Sequence, residues 1–242
     1  MVTSKNSHYF YSLDSLLEKK IKYILSIGKR QPMHIGHKNS LDRILAIDGI
    51  KLIYVIGSSN LKGDPLFDPL TNPLTIEQQI KQFQIAFPKD NPIFIAIPDI
   101  PQMNLWGEVI ISELQKLNIK PSECAIHFIG KQEDKLKEDV SFILENGKKY
   151  SLEKGRWLIE ALTCWGFYLW FDNIKEVDLT ISARNFRNLD LENLSEEYRK
   201  ILATPSYLKE IAIKAREENL EKDKLKNSPI TLYDLTLKRV QE

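Results

Sequence analysis

The sequence predicts an α/β fold, a doubly wound parallel sheet with helices on both faces. Three observations carry that prediction. Strand-like runs alternate with helix-like runs along the first 130 residues, the order expected of a parallel sheet with crossover helices. The strand runs are continuously apolar, as in Leu52-Ile53-Tyr54-Val55-Ile56, which suits strands covered on both faces rather than on one. Finally, the runs close on Gly28, Gly57-Ser58, Asp99 and Gly130. In such sheets the ligand site forms beyond the carboxyl ends of the strands, so these closing residues should share one cleft.

Residues 1 to about 20 are polar and aromatic, with a weak helical pattern at Leu13, Leu16 and Leu17. They read as an N-terminal extension docked on the domain. The first strand is expected over Tyr23–Gly28, followed by a helix over Asn39–Ile47 and a strand over Lys51–Gly57. Ile76, Ile80, Phe83 and Phe87 recur on one helical face, predicting a helix over Leu74–Phe87. Strands over Pro92–Ile97 and Ala125–Gly130 then flank a helix over Trp106–Leu117.

Residues 140–152 interrupt the alternation, because Asn146-Gly147 between two short apolar runs signals a hairpin. A helix over 153–165 and a strand near Phe167–Phe171 resume it. From Ser195 the chain is helical and charged, with Thr204-Pro205 and Ser228-Pro229 as helix starts. The run Lys209–Lys226 reads as a solvated face, or else as an oligomer contact. The organisation expected is an extension at 1–20, a domain over 21–194 with its hairpin insertion, and a helical segment over 195–242 packed on that domain.

The 242 residues are 43% hydrophobic and 28% charged, with a formal net charge of +1. That composition suits a globular domain with a sizeable core. It supplies no broad field for nucleic acid or anionic membrane, so any attraction for phosphate must be local. Cys124 and Cys164 sit in apolar contexts without a CxxC or a metal-type cluster, as reduced cytosolic thiols do. The N-terminal residues have no continuous apolar run, and the stretch Ala161–Phe171 is too short to span a bilayer. A cytoplasmic protein is expected, with small-molecule partners and a second copy of itself as a candidate partner, and with no membrane or nucleic-acid partner.

The candidate site begins at Ile27-Gly28-Lys29-Arg30-Gln31-Pro32-Met33-His34-Ile35-Gly36-His37. A strand runs into a glycine, a proline and then His-x-Gly-His before an amphipathic segment. Two imidazoles three residues apart would share one side of a helix start. Free amides and the positive dipole end there favour phosphate, and a neutral imidazole can donate a hydrogen bond to it. Far downstream, Ile181-Ser182-Ala183-Arg184-Asn185-Phe186-Arg187 is a serine-led helix start ending in arginine. Together these two runs resemble the paired signatures of the HxGH nucleotidyltransferases, which implies a Rossmann-like nucleotidyltransferase fold with C-terminal helices. No lysine-rich KMSKS-type loop is present, which separates the chain from the aminoacyl-tRNA synthetases of that superfamily.

Val55-Ile56-Gly57-Ser58, Asn72-Pro73-Leu74-Thr75-Ile76-Glu77, Ile97-Pro98-Asp99-Ile100, Asn104-Leu105-Trp106 and Phe128-Ile129-Gly130 are similar to segments of nicotinamide mononucleotide (NMN) adenylyltransferases of the archaeal and Nudix-fused types. The resemblance spans roughly Ile21 to Arg187. It implies transfer of the adenylyl group of ATP to the 5′-phosphate of NMN, giving NAD and pyrophosphate. His34, His37, Lys29 and Arg187 would act on the phosphates undergoing reaction. Gly28, Gln31, Gly36, Gly130, Ser182, Ala183 and Arg184 would bind ATP. Gly57, Ser58, Asp99, Asn104 and Trp106 would bind NMN, with the indole stacked on the cationic nicotinamide ring. Mg²⁺ would accompany ATP, held by phosphate and water without a protein cage.

The chain departs from the family at several positions. Lys29 stands where an arginine is usual, Thr71 and Gln79 replace arginines, and Arg184 replaces a threonine, so Lys62, Lys131 and Arg184 are candidates to compensate. His127, inside a buried-looking strand, reads as structural. Two other functions fit the same residues: transfer to another phosphate acceptor, of phosphopantetheine or phosphocholine type, and a nucleotide-binding regulatory module without turnover.

Overall fold

The computed structural model describes residues 9–57, 70, 72–98, 106–130, 141–144, 149–151, 166–173, 183–219, 225 and 227–236. Its strands are β1 (Tyr9–Phe10), β2 (Tyr23–Gly28), β3 (Lys51–Ile56), β4 (Ile93–Ala96), β5 (Cys124–Gly130), β6 (Ser141–Leu144), β7 (Lys149–Ser151) and β8 (Tyr168–Asn173). The first four helices are α1 (Leu13–Glu18), α2 (Ile35–Leu45), α3 (Ile76–Ala86) and α4 (Trp106–Lys116). Two further helices, Glu196–Ile201 and Pro205–Glu217, lie in the C-terminal segment.

Five strands form one parallel sheet in the order β4-β3-β2-β5-β8. Chain order runs outward from β2 to one side through β3 and β4, then returns to the other side through β5 and β8. That reversal makes the carboxyl ends of β2 and β5 the switch point of a doubly wound sheet, where ligands bind in such folds. Its strands are apolar on both faces as expected: Leu52, Ile53, Tyr54, Val55 and Ile56 are each at most 2% exposed. Each such side chain contributes about 1.5–3 kcal/mol by leaving water.

By its contacts the chain groups into two compact units that interleave in sequence. One comprises Met1–Ile27, Ile44–Val55 and Ile100–Glu176, the other Gly28–Arg43, Ile56–Asp99 and Val177–Glu242. In the first unit, β8 pairs with β5 in parallel over the whole length of β8, Ala125 opposite Tyr168 through Gly130 opposite Asn173. The N-terminal residues extend this edge, since the Tyr11 amide donates to the Leu169 carbonyl at 2.8 Å. The expected hairpin is present as antiparallel β6 and β7, and β1 pairs with β6 in parallel to complete a small second sheet. Cys124 is a buried free thiol whose pKa is pushed up to about 12 by burial. Cys164, the Asn146-Gly147 turn and the helix expected over 153–165 lie outside the described residues.

The second unit has its own core of Leu74, Phe186, Leu191, Leu194, Leu202, Leu208, Ala212, Ile230, Leu232 and Leu235. Helix α3 starts at a full capping box, with Thr75 accepting from the Gln78 amide and the Gln78 side chain accepting from the Thr75 amide. Its buried face differs from the apolar periodicity. Gln79, Gln82 and Phe83 are the buried residues of this helix, while Ile76 and Ile80 are only half-buried. The glutamine amides can turn inward because they find backbone partners there.

Thr204-Pro205 begins the helix Pro205–Glu217 as expected, but Ser228-Pro229 does not start an α-helix. The carbonyls of Ser228 and Pro229 accept from the Arg216 guanidinium, and the next element is the short 3₁₀ stretch Leu232–Thr236. Among the described residues, no helix is long and apolar enough to cross a membrane.

Candidate functional site

Helix α2 begins directly beyond the turn that closes β2. Its first helical bond joins the Lys38 amide to the His34 carbonyl at 3.0 Å, so the amides of Ile35, Gly36 and His37 have no acceptor inside the helix. The amphipathic pattern placed the helix at Asn39, four residues late, because Ile35–Lys38 carry the site rather than an apolar stripe. The His34 amide donates to Nδ1 of His37 at 3.4 Å, one half of a capping box, in which the third helical residue reaches back to the cap residue. Accepting there leaves the proton of a neutral His37 on Nε2. The two rings stack, with centroids 3.7 Å apart and planes at 30°.

Both imidazoles are held neutral. Burial lowers His34 to about 4. His37 lies well below its ordinary range, first through burial, then through its neighbours His34 and Arg30. Nδ1 of His34 and Nε2 of Gln31 are buried and lack hydrogen-bond partners among the described residues. Such atoms cost about 1–3 kcal/mol each unless a ligand or water meets them.

The turn itself is tightly held, with a cis Gln31–Pro32 peptide. The Leu74 amide donates to Oε1 of Gln31 at 2.9 Å, and Nε of Arg187 donates to the Gln31 carbonyl at 3.4 Å. The second signature arginine, 8% exposed, is thereby brought onto the backbone of the first signature. Ala183 opens the 3₁₀ stretch Ala183–Phe186, and the Phe186 ring lies 6.1 Å from that of His34. Gly57 donates its amide to the Gly28 carbonyl at 3.5 Å, which joins the ends of two neighbouring strands.

Lys29 is exposed. Its neighbour Arg30 is close enough for its charge to lower His37; it is 7% exposed and adopts a left-handed backbone with φ of 43°. That conformation costs a residue with a Cβ about 1 kcal/mol or more, and such residues gather at functional sites. The guanidinium lies against Gly28, where an added Cβ would come within 3.3 Å of Cζ. Glycine at 28 is therefore a close-approach residue for a cation. Successive side chains of a regular strand point to opposite faces, but the positive φ takes Arg30 out of that alternation. The basic residue next to Lys29 was the available signal.

Gln79 is 1% exposed and donates to the Leu74 carbonyl at 3.4 Å, so an amide fills the inward position where an arginine was expected. Trp106 is the first residue of α4 and Gly130 the last of β5. Ser58, Thr71, Asp99, Asn104, Ser182 and the side chains of Trp106 and Arg184 lie outside the described residues, as do the candidate compensating lysines Lys62 and Lys131. The sequence offers Arg30 as a substitute for Lys29 from the neighbouring position but sets it aside on strand alternation; Gln82 and Thr204 were missed as contributors to this turn. For Gln82 the signal was a second glutamine three positions after Gln79 on the inward side of α3.

A parallel sheet of this winding, with paired histidines opening the first crossover helix, is the Rossmann-like nucleotidyltransferase fold. The chain is similar in structure to a bifunctional NMN adenylyltransferase/ADP ribose pyrophosphatase from Francisella tularensis, with TM-score 0.50 and 18% identity over 77% of this chain. This chain covers 46% of that protein's length. It also aligns with nicotinic acid mononucleotide adenylyltransferase from Plasmodium falciparum, at TM-score 0.44 and 14% identity, covering 79% of this chain and 96% of that one. A third similarity is to TmcAL from Thermotoga maritima, at TM-score 0.46 and 16% identity, covering 82% of this chain and 56% of that one. At these identities the likeness is one of fold, and it rests on the Francisella protein. No protein-family profile matches the chain, and no curated protein matches it.

Proposed function

We propose that this protein is a nucleotidyltransferase that moves the adenylyl group of ATP to the 5′-phosphate of NMN. The observation that carries the reading is the neutral imidazole pair at the start of α2, stacked at 3.7 Å beside the buried Arg30 guanidinium. Free helix amides, two ring N–H donors and a guanidinium at one helix start suit a polyphosphate. Neutral imidazoles hold that anion without a fixed charge of their own, so they can strengthen their hydrogen bonds as charge shifts toward the leaving group.

In the reaction, a phosphate oxygen of NMN forms a bond to the α-phosphorus of ATP. The bond from that phosphorus to the bridging oxygen breaks, and pyrophosphate leaves with the electron pair. The nucleophile is already anionic, so no general base is required, and catalysis is positioning and charge stabilisation. His37 would donate from Nε2 to the α-phosphate region. Arg30, His34 and the amides of Gly36 and His37 would hold the chain of phosphates, and Arg187 would keep the turn in place beneath them.

Mg²⁺ would arrive as part of the ATP complex, bound by phosphates and water. The choice of NMN is supported by the Asn104-Leu105-Trp106 run and by the activity named for the Francisella protein.

The test is pyrophosphate release from purified protein with ATP, Mg²⁺ and NMN, with His37→Ala as control. NMN-dependent release that the variant lacks supports the proposal. Release with a different phosphorylated acceptor would keep the transferase and change its substrate. Saturable ATP binding without release for any acceptor would assign a non-catalytic nucleotide-binding role.

A further inference from the structure

Both backbone polar groups of Met33 are held from outside the turn. The Met33 amide donates to Oε1 of Gln82 at 3.1 Å, and its carbonyl accepts from the Ala203 amide at 3.1 Å. Nε2 of Gln82 donates to the Arg30 carbonyl at 3.3 Å. The Thr204 hydroxyl donates to the same Gln82 oxygen at 3.5 Å. An isolated bridge between His34 and Leu202 continues this pairing. Gln82 is wholly buried, at 0% exposure, yet its amide oxygen and nitrogen both have partners.

The consequence follows along the chain. With the amide and the carbonyl of Met33 both fixed, the Met33–His34 peptide plane has one orientation. Its N–H is the group that donates to Nδ1 of His37, and that bond decides which ring nitrogen carries the proton. We infer that Gln82 is a positioning residue for the His34–His37 pair, setting the Nε2–H tautomer that faces a phosphate, and that Leu202–Thr204 completes the same clamp. The inference rests on the reading of the pair as a phosphate site. It also gives the C-terminal segment a part in the site: Ala203 bonds to the turn and Thr204 to the glutamine that holds it.

Histidine-¹⁵N NMR tests the inference independently of turnover, in the full chain at pH 7.5 with Gln82→Met and Gln82→Glu. Wild type should show His37 as a single neutral tautomer with a bare Nδ1. Gln82→Met removes all the bonds at similar volume and should give a mixed tautomer, with Mg·ATP affinity lowered about tenfold, the scale of one oriented bond to an anion. Gln82→Glu keeps the acceptor for Met33 and should restore the single tautomer. A folded Gln82→Met with an unchanged His37 spectrum and unchanged ATP affinity would overturn the inference while leaving the phosphate site standing. If wild type fails to bind Mg·ATP, the phosphate-site reading falls, and the tautomer comparison still judges Gln82. Should Gln82→Met not fold, amide exchange at Met33 in wild type decides: strong protection supports the clamp, and exchange at an unprotected rate contradicts it.

Discussion

Arg216→Met should unfold the C-terminal segment at far lower denaturant than wild type. Arg216 donates from Nε to Asp234 Oδ1 at 2.8 Å and from Nη2 to Oδ2 at 2.9 Å, with side chains 13% and 4% exposed. The same guanidinium caps the carbonyls of Leu225, Ser228 and Pro229. Methionine keeps most of the stem and removes all five donations. The carbonyls of Ser228 and Pro229 are exposed and recover water, so their loss costs little. Asp234 does not recover, because it is left buried with the Thr231 amide at 2.7 Å. Stranding one partner of a buried pair costs about 3–5 kcal/mol.

With a urea slope of about 2–3 kcal/mol/M, that loss lowers the transition midpoint by about 1–2.5 M. The loss should also reach the site, since the Leu232 amide donates to the Arg187 carbonyl at 3.2 Å and the Leu191 amide to the Ile230 carbonyl at 2.7 Å. Equilibrium urea unfolding by circular dichroism is the assay. The double variant Arg216→Met/Asp234→Leu removes the stranded charge and should recover much of the difference. A loss under about 1 kcal/mol in the single variant, within the range of exposed pairs, would refute the reasoning.

Acid should destabilise the protein through the imidazoles. In the unfolded chain both take protons near the ordinary value of 6.5, whereas folded His34 waits until about 4 and His37 lies well below 6.5. The unfolded state then binds more protons in that window, so stability is complete above pH 6.5 and falls as pH drops toward 4; thermal melts of His34→Gln should show a shallower decline. Conversely, binding an anion favours the protonated rings, so ATP should take up protons at pH 5–6, readable by calorimetry in buffers of different ionisation enthalpy. Gly28→Ala should change stability by less than about 1 kcal/mol, because alanine restricts the unfolded chain. The Arg30 guanidinium must shift by a few tenths of an ångström, so ATP affinity should drop severalfold, and unchanged affinity would remove Arg30 from the site. Nε2 of His127 lies 3.1 Å from Asp172 Oδ2, with side chains 1% and 3% exposed, so Asp172→Asn should cost about 1–3 kcal/mol, measured by melting, with little effect on ATP binding if the pair is structural.

The sheet was legible because its strands obey one simple demand. A strand such as Leu52–Ile56 that is buried on both faces has to be apolar throughout, and no packing detail changes that. The helix start at the histidine pair was legible because the strand before it runs into a glycine and a proline. What the chain does at Arg30 was not legible, because a left-handed residue reverses the ordinary rule for where neighbouring side chains point. Gln82 was hidden by its own helix: an apolar count of α3 selects Ile76 and Ile80 and treats glutamine as solvent-facing. Only the carbonyls and amides of the turn, placed by tertiary structure, make that amide a buried residue. Ser228-Pro229 failed as a helix start for the same kind of reason, since the Leu232 amide that would close the first turn donates to the Arg187 carbonyl instead.

The measurement that bears most directly on the central claim is calorimetric titration of Mg·ATP into wild type and into His37→Ala, each verified as folded by its melting curve. A phosphate site at the start of α2 predicts saturable binding by wild type, at least tenfold weaker in the variant, with proton uptake that diminishes when the ring is gone. Equal binding by both proteins, or no binding by a folded wild type, would contradict it.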